Sequence, residues 1–317
     1  MVGVHFFFSM KALVMKIGIN GTGLVQKASI DAITEDARAA LADGFSSYWI
    51  AEHPTGGFDA LTVLSVVSQH VPDIELGTAI VPTYPRHPMV LAGQALTVQT
   101  AMGDRFTLGI GLSHEVMMAQ LGIGFSKPIR HLRDYLSILM PLLEKGKVDY
   151  QGETLSCEAE IFKPVSKRPG VVVAALGPQA LRVAGSRTDG TTLAWVGPKT
   201  IKEHIVPRIS EAASTAGKGS PRIIATLPVS VTDDPDAIRS KISKGLAMYG
   251  QLPSYKAMFE REGVDQPGDL ALVGGASEVE DALAGLAEAG VTDYAASIFA
   301  TNSQEHIQTR ELLSRFN

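Results

Sequence analysis

The chain has 317 residues, 45% of them hydrophobic and 19% charged, with a net charge of −5. That balance excludes a disordered chain, and no stretch gathers Lys and Arg into the basic face that a nucleic-acid partner requires. The single cysteine, Cys157, can form no internal disulfide, and neither it nor the scattered histidines offer metal-ligand spacing, so no metal site is expected and a reducing cytoplasm fits.

The opening stretch MVGVHFFFSMKALVMKIGIN is apolar, but Lys11 and Lys16 fall within and after the run and no small-residue cleavage site follows. His5, Lys11 and Lys16 also break the run of about 20 apolar residues that a membrane span needs. Residues 1–15 therefore read as an extension from an upstream start, with one domain expected over 16–317.

From Lys16 onward short β-rich runs alternate with amphipathic stretches. KIGIN (16–20), SYWIA (47–51), IELGT (74–78) and FTLGI (106–110) read as buried strands. The stretches 29–44, 58–69 and 88–103 carry apolar residues at helical spacing and end near Gly44, Pro72 and Gly103, where helices stop. The region 113–169 is too long for one βα connection, and is predicted to hold a helix over 131–146 and a hairpin within 148–163. VVVAA (171–175), TTLAW (191–195), IIATLPVSV (223–231) and YAASIF (294–299) bring the strands to eight. Eight alternating units, with no GxGxxG turn after the first strand, predict an α/β fold: a closed (β/α)₈ barrel with insertions after the fourth strand. Its active site then lies at the C-terminal strand ends.

Those ends carry the candidate residues. Glu52 and His53 follow the second strand, either lining the mouth, where His53 could trade a proton, or forming a cap pair. Arg86 and His87 sit in a proline-rich loop and read as structural. Gly109 and Gly111 precede Ser113, His114 and Glu115; the glycines either admit a planar ligand or serve strand packing. Pro178 is placed to open a helix after the fifth strand, and free amides at such a start form a phosphate site. A nucleophile elbow of the form Gly-x-Ser-x-Gly is absent, so a hydrolase is poorly supported.

Several of these stretches together resemble the luciferase-like monooxygenase superfamily, in particular its F420-binding branch: 47–53, 74–115 and 171–198, with support from 227–239 and 290–299. The resemblance implies an F420-dependent oxidoreductase, a reductase that moves hydride from F420H₂ to an activated C=C or C=N bond of a small molecule. An FMN-dependent monooxygenase is the alternative, and a non-catalytic flavin-binding relative the alternative of another class. It also implies that Glu52 and His53 meet the ring region, and that Thr78, Ala79 and Ile80 form a bulge behind it with a cis peptide at Ala79-Ile80. Gly111, Leu112, Ser113 and His114 would lie against ring and ribityl groups, with His53 or His114 handling the proton. Ala175, Leu176, Gly177 and Pro178, with Ala194, Trp195 and Val196, would bind the cofactor phosphate. The expected partners are a small-molecule substrate and further copies of the chain in a homodimer or higher homo-oligomer, without nucleic acid or membrane. The glucose-6-phosphate dehydrogenases of the family carry a glutamate where this chain has His114, and a phosphate-binding lysine where it has Gly197, so sugar-phosphate oxidation is not expected.

Overall fold

The computed structural model describes residues 15–25, 27–162 and 167–316, so the expected extension lies, apart from Met15, outside the described residues. Eight parallel strands close a barrel. They are β1 (Lys16–Asn20), β2 (Ser47–Ile50), β3 (Glu75–Thr78), β5 (Phe106–Gly111), β8 (Gly170–Ala174), β9 (Gly190–Ala194), β10 (Arg222–Thr226) and β13 (Asp293–Ile298), with β13 pairing back onto β1. A two-residue strand, β4 (Val81–Pro82), pairs with the end of β5, and the hairpin β6 (Lys147–Gln151) and β7 (Ser156–Glu160) stands apart as an antiparallel pair.

Several helices form where the apolar spacing is helical and a side chain caps the first turn. The side chains of Ser29 and Asp59 accept the amides of Ala32 and Thr62 at the starts of helices Ile30–Ala42 and Ala60–Ser68. His87 caps helix Pro88–Ala101 through Nδ1, which accepts from the Met89 amide at 3.2 Å, the structural role its loop suggested. Outward strand residues such as Tyr48, Ile50 and Leu76 are fully buried under these helices, each worth about 1.5–3 kcal/mol for its side chain.

Because side chains alternate along a strand, each barrel strand sends every second residue inward. The lowest inward layer is charged: Arg222 donates to Glu75 at 2.6 and 2.9 Å and to Asp293 at 2.6 and 2.9 Å, and its guanidinium lies 5.6 Å from the Trp49 ring centroid. Burial opposes the Arg222 charge, but its hydrogen bonds to the two carboxylates prevail and raise its pKa. Trp49, Val172, Ile224 and Ala295 fill the middle. At the C-terminal end the inward positions are small: Asn20, Ala51, Ala79, Ala174, Ala194 and Ser297 are all partly exposed. The barrel is thus plugged below and open above.

Two departures from expectation concern the seventh strand. The run 223–231 is two strands, since Pro228 lacks the donor a continuous ladder needs and the Leu227 carbonyl is taken by the Tyr294 hydroxyl (2.9 Å) and the Ser297 amide (3.2 Å). The chain there leaves the barrel as β11 (Pro228–Val231), which pairs with the end of β13 and with β12 (Leu272–Gly274). The second departure follows: besides the expected insertion after the fourth barrel strand, a long one follows β10 and contributes helix Pro253–Glu262. Among the described residues no helix is long and apolar enough to cross a membrane.

Candidate active site

The open end of the barrel is shaped first by the contact between β3 and β5. The Thr78 hydroxyl donates to the Gly109 carbonyl and accepts the Gly109 amide, both at 2.8 Å. A Cβ on residue 109 would fall 1.9 Å from the Thr78 carbonyl oxygen, so only glycine allows this approach. The chain then bulges through a cis Ala79-Ile80 peptide, as the resemblance implied, and the Ala79 amide and Ile80 carbonyl tie it to Ile50 and Glu52 at 2.8 and 2.9 Å. Gly111 keeps the surface beyond flat, because a Cβ there would meet the Ile80 side chain at 3.0 Å.

Glu52 and His53 part company at the end of β2. Glu52 accepts from Arg86 at 2.5 and 3.1 Å and from the Ala60 amide at 3.1 Å, and Arg86 also binds Asp59. Its carboxylate is thereby committed to holding the loop after β4. The same loop is anchored by Thr83, 3.2 Å from His131 Nε2, and by Tyr84 stacked on His131 at 3.9 Å. Burial lowers the His131 pKa to about 4, so this ring is a neutral packing partner.

His53 is exposed at the mouth, and His114, half-buried, is near enough to feel its charge. Burial first, and repulsion by His53 second, lower the His114 pKa below the usual 6.5, so His114 is neutral at neutral pH. Ser113 beside it has φ 61°, and Trp195 after β9 has φ 56°, left-handed backbone that costs a side-chain-bearing residue about 1–2 kcal/mol. Such positions persist where the surroundings fix them, and both lie at strand ends on the mouth.

Two helix starts follow the neighbouring strands β8 and β9. Helix Pro178–Arg187 follows Leu176 and Gly177; Gly177, Pro178 and Gln179 are exposed at its start, and no side chain caps it. Its dipole and free amides can take an anion. His204, buried on the π turn Ile201–Ile205, holds the approach to it through Nε2, 2.8 Å from the Leu176 carbonyl. The helical run that begins at Pro198 is instead occupied: the Glu262 carboxylate accepts from the Lys199 amide at 3.1 Å and the Thr200 amide at 2.7 Å.

The remaining wall comes from the insertion after β10 and was not legible in the sequence. Tyr255 sits 5.8 Å from the His114 ring and 5.2 Å from Tyr249, which in turn meets Trp195 edge-on at 5.8 Å. An aromatic row thus links the ends of β5 and β9. Burial raises the pKa of both phenols, keeping them protonated. Trp195 Nε1 and Thr226 Oγ1, at neighbouring strand ends, are buried without a hydrogen-bond partner. Trp195 Nε1 comes close enough to the Tyr249 phenol to offset part of its rise, though outside hydrogen-bonding geometry. Orphaned polar atoms beside small, open strand ends suit a ligand that brings its own acceptors. No group of three or more His, Cys, Asp or Glu able to hold a metal occurs among the described residues.

A cavity of about 350 Å³ lies at the opposite end of the barrel, lined by Asp73, Glu75, Arg105 and Arg168 among others. Its arginines are spent on the Ile74 and Met102 carbonyls and on Asp189, so it reads as part of the structural plug.

The profile of the luciferase-like monooxygenase family matches residues 10–293. The 5,10-methylenetetrahydromethanopterin reductase of Archaeoglobus fulgidus is 28% identical over 229 residues, covering 70% of this chain and 67% of the relative. The coenzyme F420-dependent tetrahydromethanopterin reductase of Methanopyrus kandleri superposes with a TM-score of 0.79 at 21% identity, over 95% of this chain and 97% of that one. The oxygenating constituent of 3,6-diketocamphane monooxygenase of Pseudomonas putida, solved with FMN, has the same fold at a TM-score of 0.75 and 18% identity, over 95% and 97%.

Proposed function

The chain belongs to the luciferase-like monooxygenase family, and within it we propose an F420-dependent oxidoreductase that reduces an activated C=C or C=N bond of a small molecule. The observation that carries this reading is the conjunction at one strand-end surface of the Ala79-Ile80 bulge, the small inward layer and the uncapped helix start at Gly177. A flat ring system with a phosphate tail fits these three features. The likeness to an F420-dependent reductase supports F420 over FMN.

Bound F420H₂ would supply hydride; the rest falls to this chain's residues. The face formed by Ala79, Ile80 and Gly111 would back the ring, with Leu112, Ser113 and His114 beside it. Leu176, Gly177 and Pro178 would hold the phosphate, with Ala175 and Ala194 to Val196 completing the walls. Reduction of C=C or C=N leaves an anionic atom on the substrate that must be protonated. With His114 neutral, that proton falls to His53, which is exposed and can refill from solvent. Glu52 acts by positioning, since its oxygens are already paired. Assembly as a homodimer or higher homo-oligomer is part of the same proposal.

Separate titrations with F420 and FMN test the cofactor. F420 is expected to bind at least tenfold more tightly, a difference of about 1.4 kcal/mol. A tenfold preference for FMN would overturn the assignment.

A further inference from the structure

The buried His204 owes its place to a proline. Pro207 has no N–H to give the Glu203 carbonyl and its ring crowds that group, so the helical run from Pro198 widens into the π turn Ile201–Ile205, closed by the Val206 amide on the Ile201 carbonyl. The turn carries His204, whose own carbonyl accepts from Arg208 Nη1 at 3.0 Å. The helix that follows, Val206–Thr215, lies close against helix Pro178–Arg187: a Cβ on Gly185 would stand 2.4 Å from the Ile209 carbonyl oxygen. His204 is thereby fixed with respect to the helix whose start it approaches. Its Nε2 lies 2.8 Å from the Leu176 carbonyl, which can only accept, so Nε2 carries the hydrogen and Nδ1, buried without a partner, carries none. Burial lowers the His204 pKa against the pull of the Leu176 carbonyl, and Arg208 and Arg261 add to the lowering, so the ring stays neutral in this tautomer.

The Leu176 carbonyl and the Gly177 amide belong to one trans peptide and point opposite ways. Held on its carbonyl side by a buried ring, that peptide sends its N–H outward at an exposed glycine, where no group among the described residues accepts it. Pro178 offers no amide, so Gly177 supplies the first donor of the helix start. Glycine sets few limits on its own φ, which leaves the direction of this peptide to the bond from His204.

We propose that His204 is a positioning residue of the phosphate site: its hydrogen bond to the Leu176 carbonyl aims the Gly177 amide at the cofactor phosphate. That role presupposes the F420 site proposed above; the link between His204 and the direction of the amide does not. A histidine that served packing alone would support the fold as a whole. A positioning histidine acts on the phosphate and leaves the ring surface at Ala79, Ile80 and Gly111 as it is. An amide bond to a charged phosphate is worth roughly ten- to a hundredfold in affinity.

Calorimetric titration of the full chain with the deazaflavin ribityl fragment of F420, with and without a 5′-phosphate, tests this, because the two probes differ in the phosphate alone. Wild type should favour the phosphorylated fragment by at least tenfold. His204→Leu should cut that preference by roughly tenfold or more while binding the unphosphorylated fragment within about twofold of wild type. His204→Gln, whose terminal amide can donate as Nε2 does, should keep most of the preference. His204→Phe, which keeps a ring in place but removes the donor, stands in for leucine if that variant does not fold. The proposal is overturned if the donor-free variants keep the wild-type preference, if they weaken both fragments alike as a loosened fold would, or if glutamine restores nothing. Should neither deazaflavin fragment bind while FMN and riboflavin do, the cofactor reading fails, and the preference for FMN over riboflavin, lost in His204→Leu and kept in His204→Gln, still supports the role of His204.

Discussion

Replacing His53 by alanine is expected to lower kcat by roughly a hundredfold or more while leaving F420 affinity within a few-fold, general acid catalysis being worth about 10²–10⁴. The expectation follows from the unequal surroundings of the two histidines at the mouth. His114 is held neutral by burial and by its neighbour, so it can orient or relay but carries no ready proton at pH 7. His53 is exposed and does not share that enclosure. The pH profile gives a second readout with a defined sign. Activity that needs neutral His114 persists below pH 6.5 and falls only as the pH drops through its lowered pKa. In His53→Ala one of the two causes of that lowering is gone, so this acid limb should move up toward 6.5 without reaching it, burial remaining. A near-normal kcat in His53→Ala, with turnover abolished in His114→Ala, would reverse the two roles.

Replacing Arg222 by methionine is expected to cost about 3–5 kcal/mol of stability, because it leaves two enclosed carboxylates facing each other without their cation. Asp293 is only 3% exposed, and each carboxylate makes two bonds to the guanidinium. Methionine keeps the packing over Trp49, so the loss reports the charge cluster more than a cavity. Denaturant midpoints of the two proteins measure it, and a loss under about 1 kcal/mol would mean that solvent compensates the carboxylates and the plug contributes little.

What the sequence revealed of this architecture was what repeats locally. The alternation of β-rich and helical runs located all eight barrel strands, and Pro178 marked the helix start it occupies. What it hid depends on closure. Glu75, Arg222 and Asp293 each begin a strand, where a charged residue reads as a solvated end; only the closed barrel turns all three inward. Glu52 looks like a mouth carboxylate until Arg86, from a loop beyond the next strand, is seen to take it. Tyr249, Tyr255 and Glu262 lie in an insertion far in sequence from the ends of β5 and β9 that they complete, and no local period announces such contacts. The bulge at Ala79-Ile80 has no proline to signal it, and was reached through the family resemblance.

The central claim is hydride transfer from reduced deazaflavin without oxygen, and anaerobic stopped-flow measures it most directly. F420H₂ mixed with the protein and a set of uncharged conjugated enones and imines should be oxidised in step with acceptor reduction, at a rate that oxygen does not raise. Turnover that requires oxygen and FMNH₂, with F420H₂ left unoxidised by every acceptor, would contradict the account.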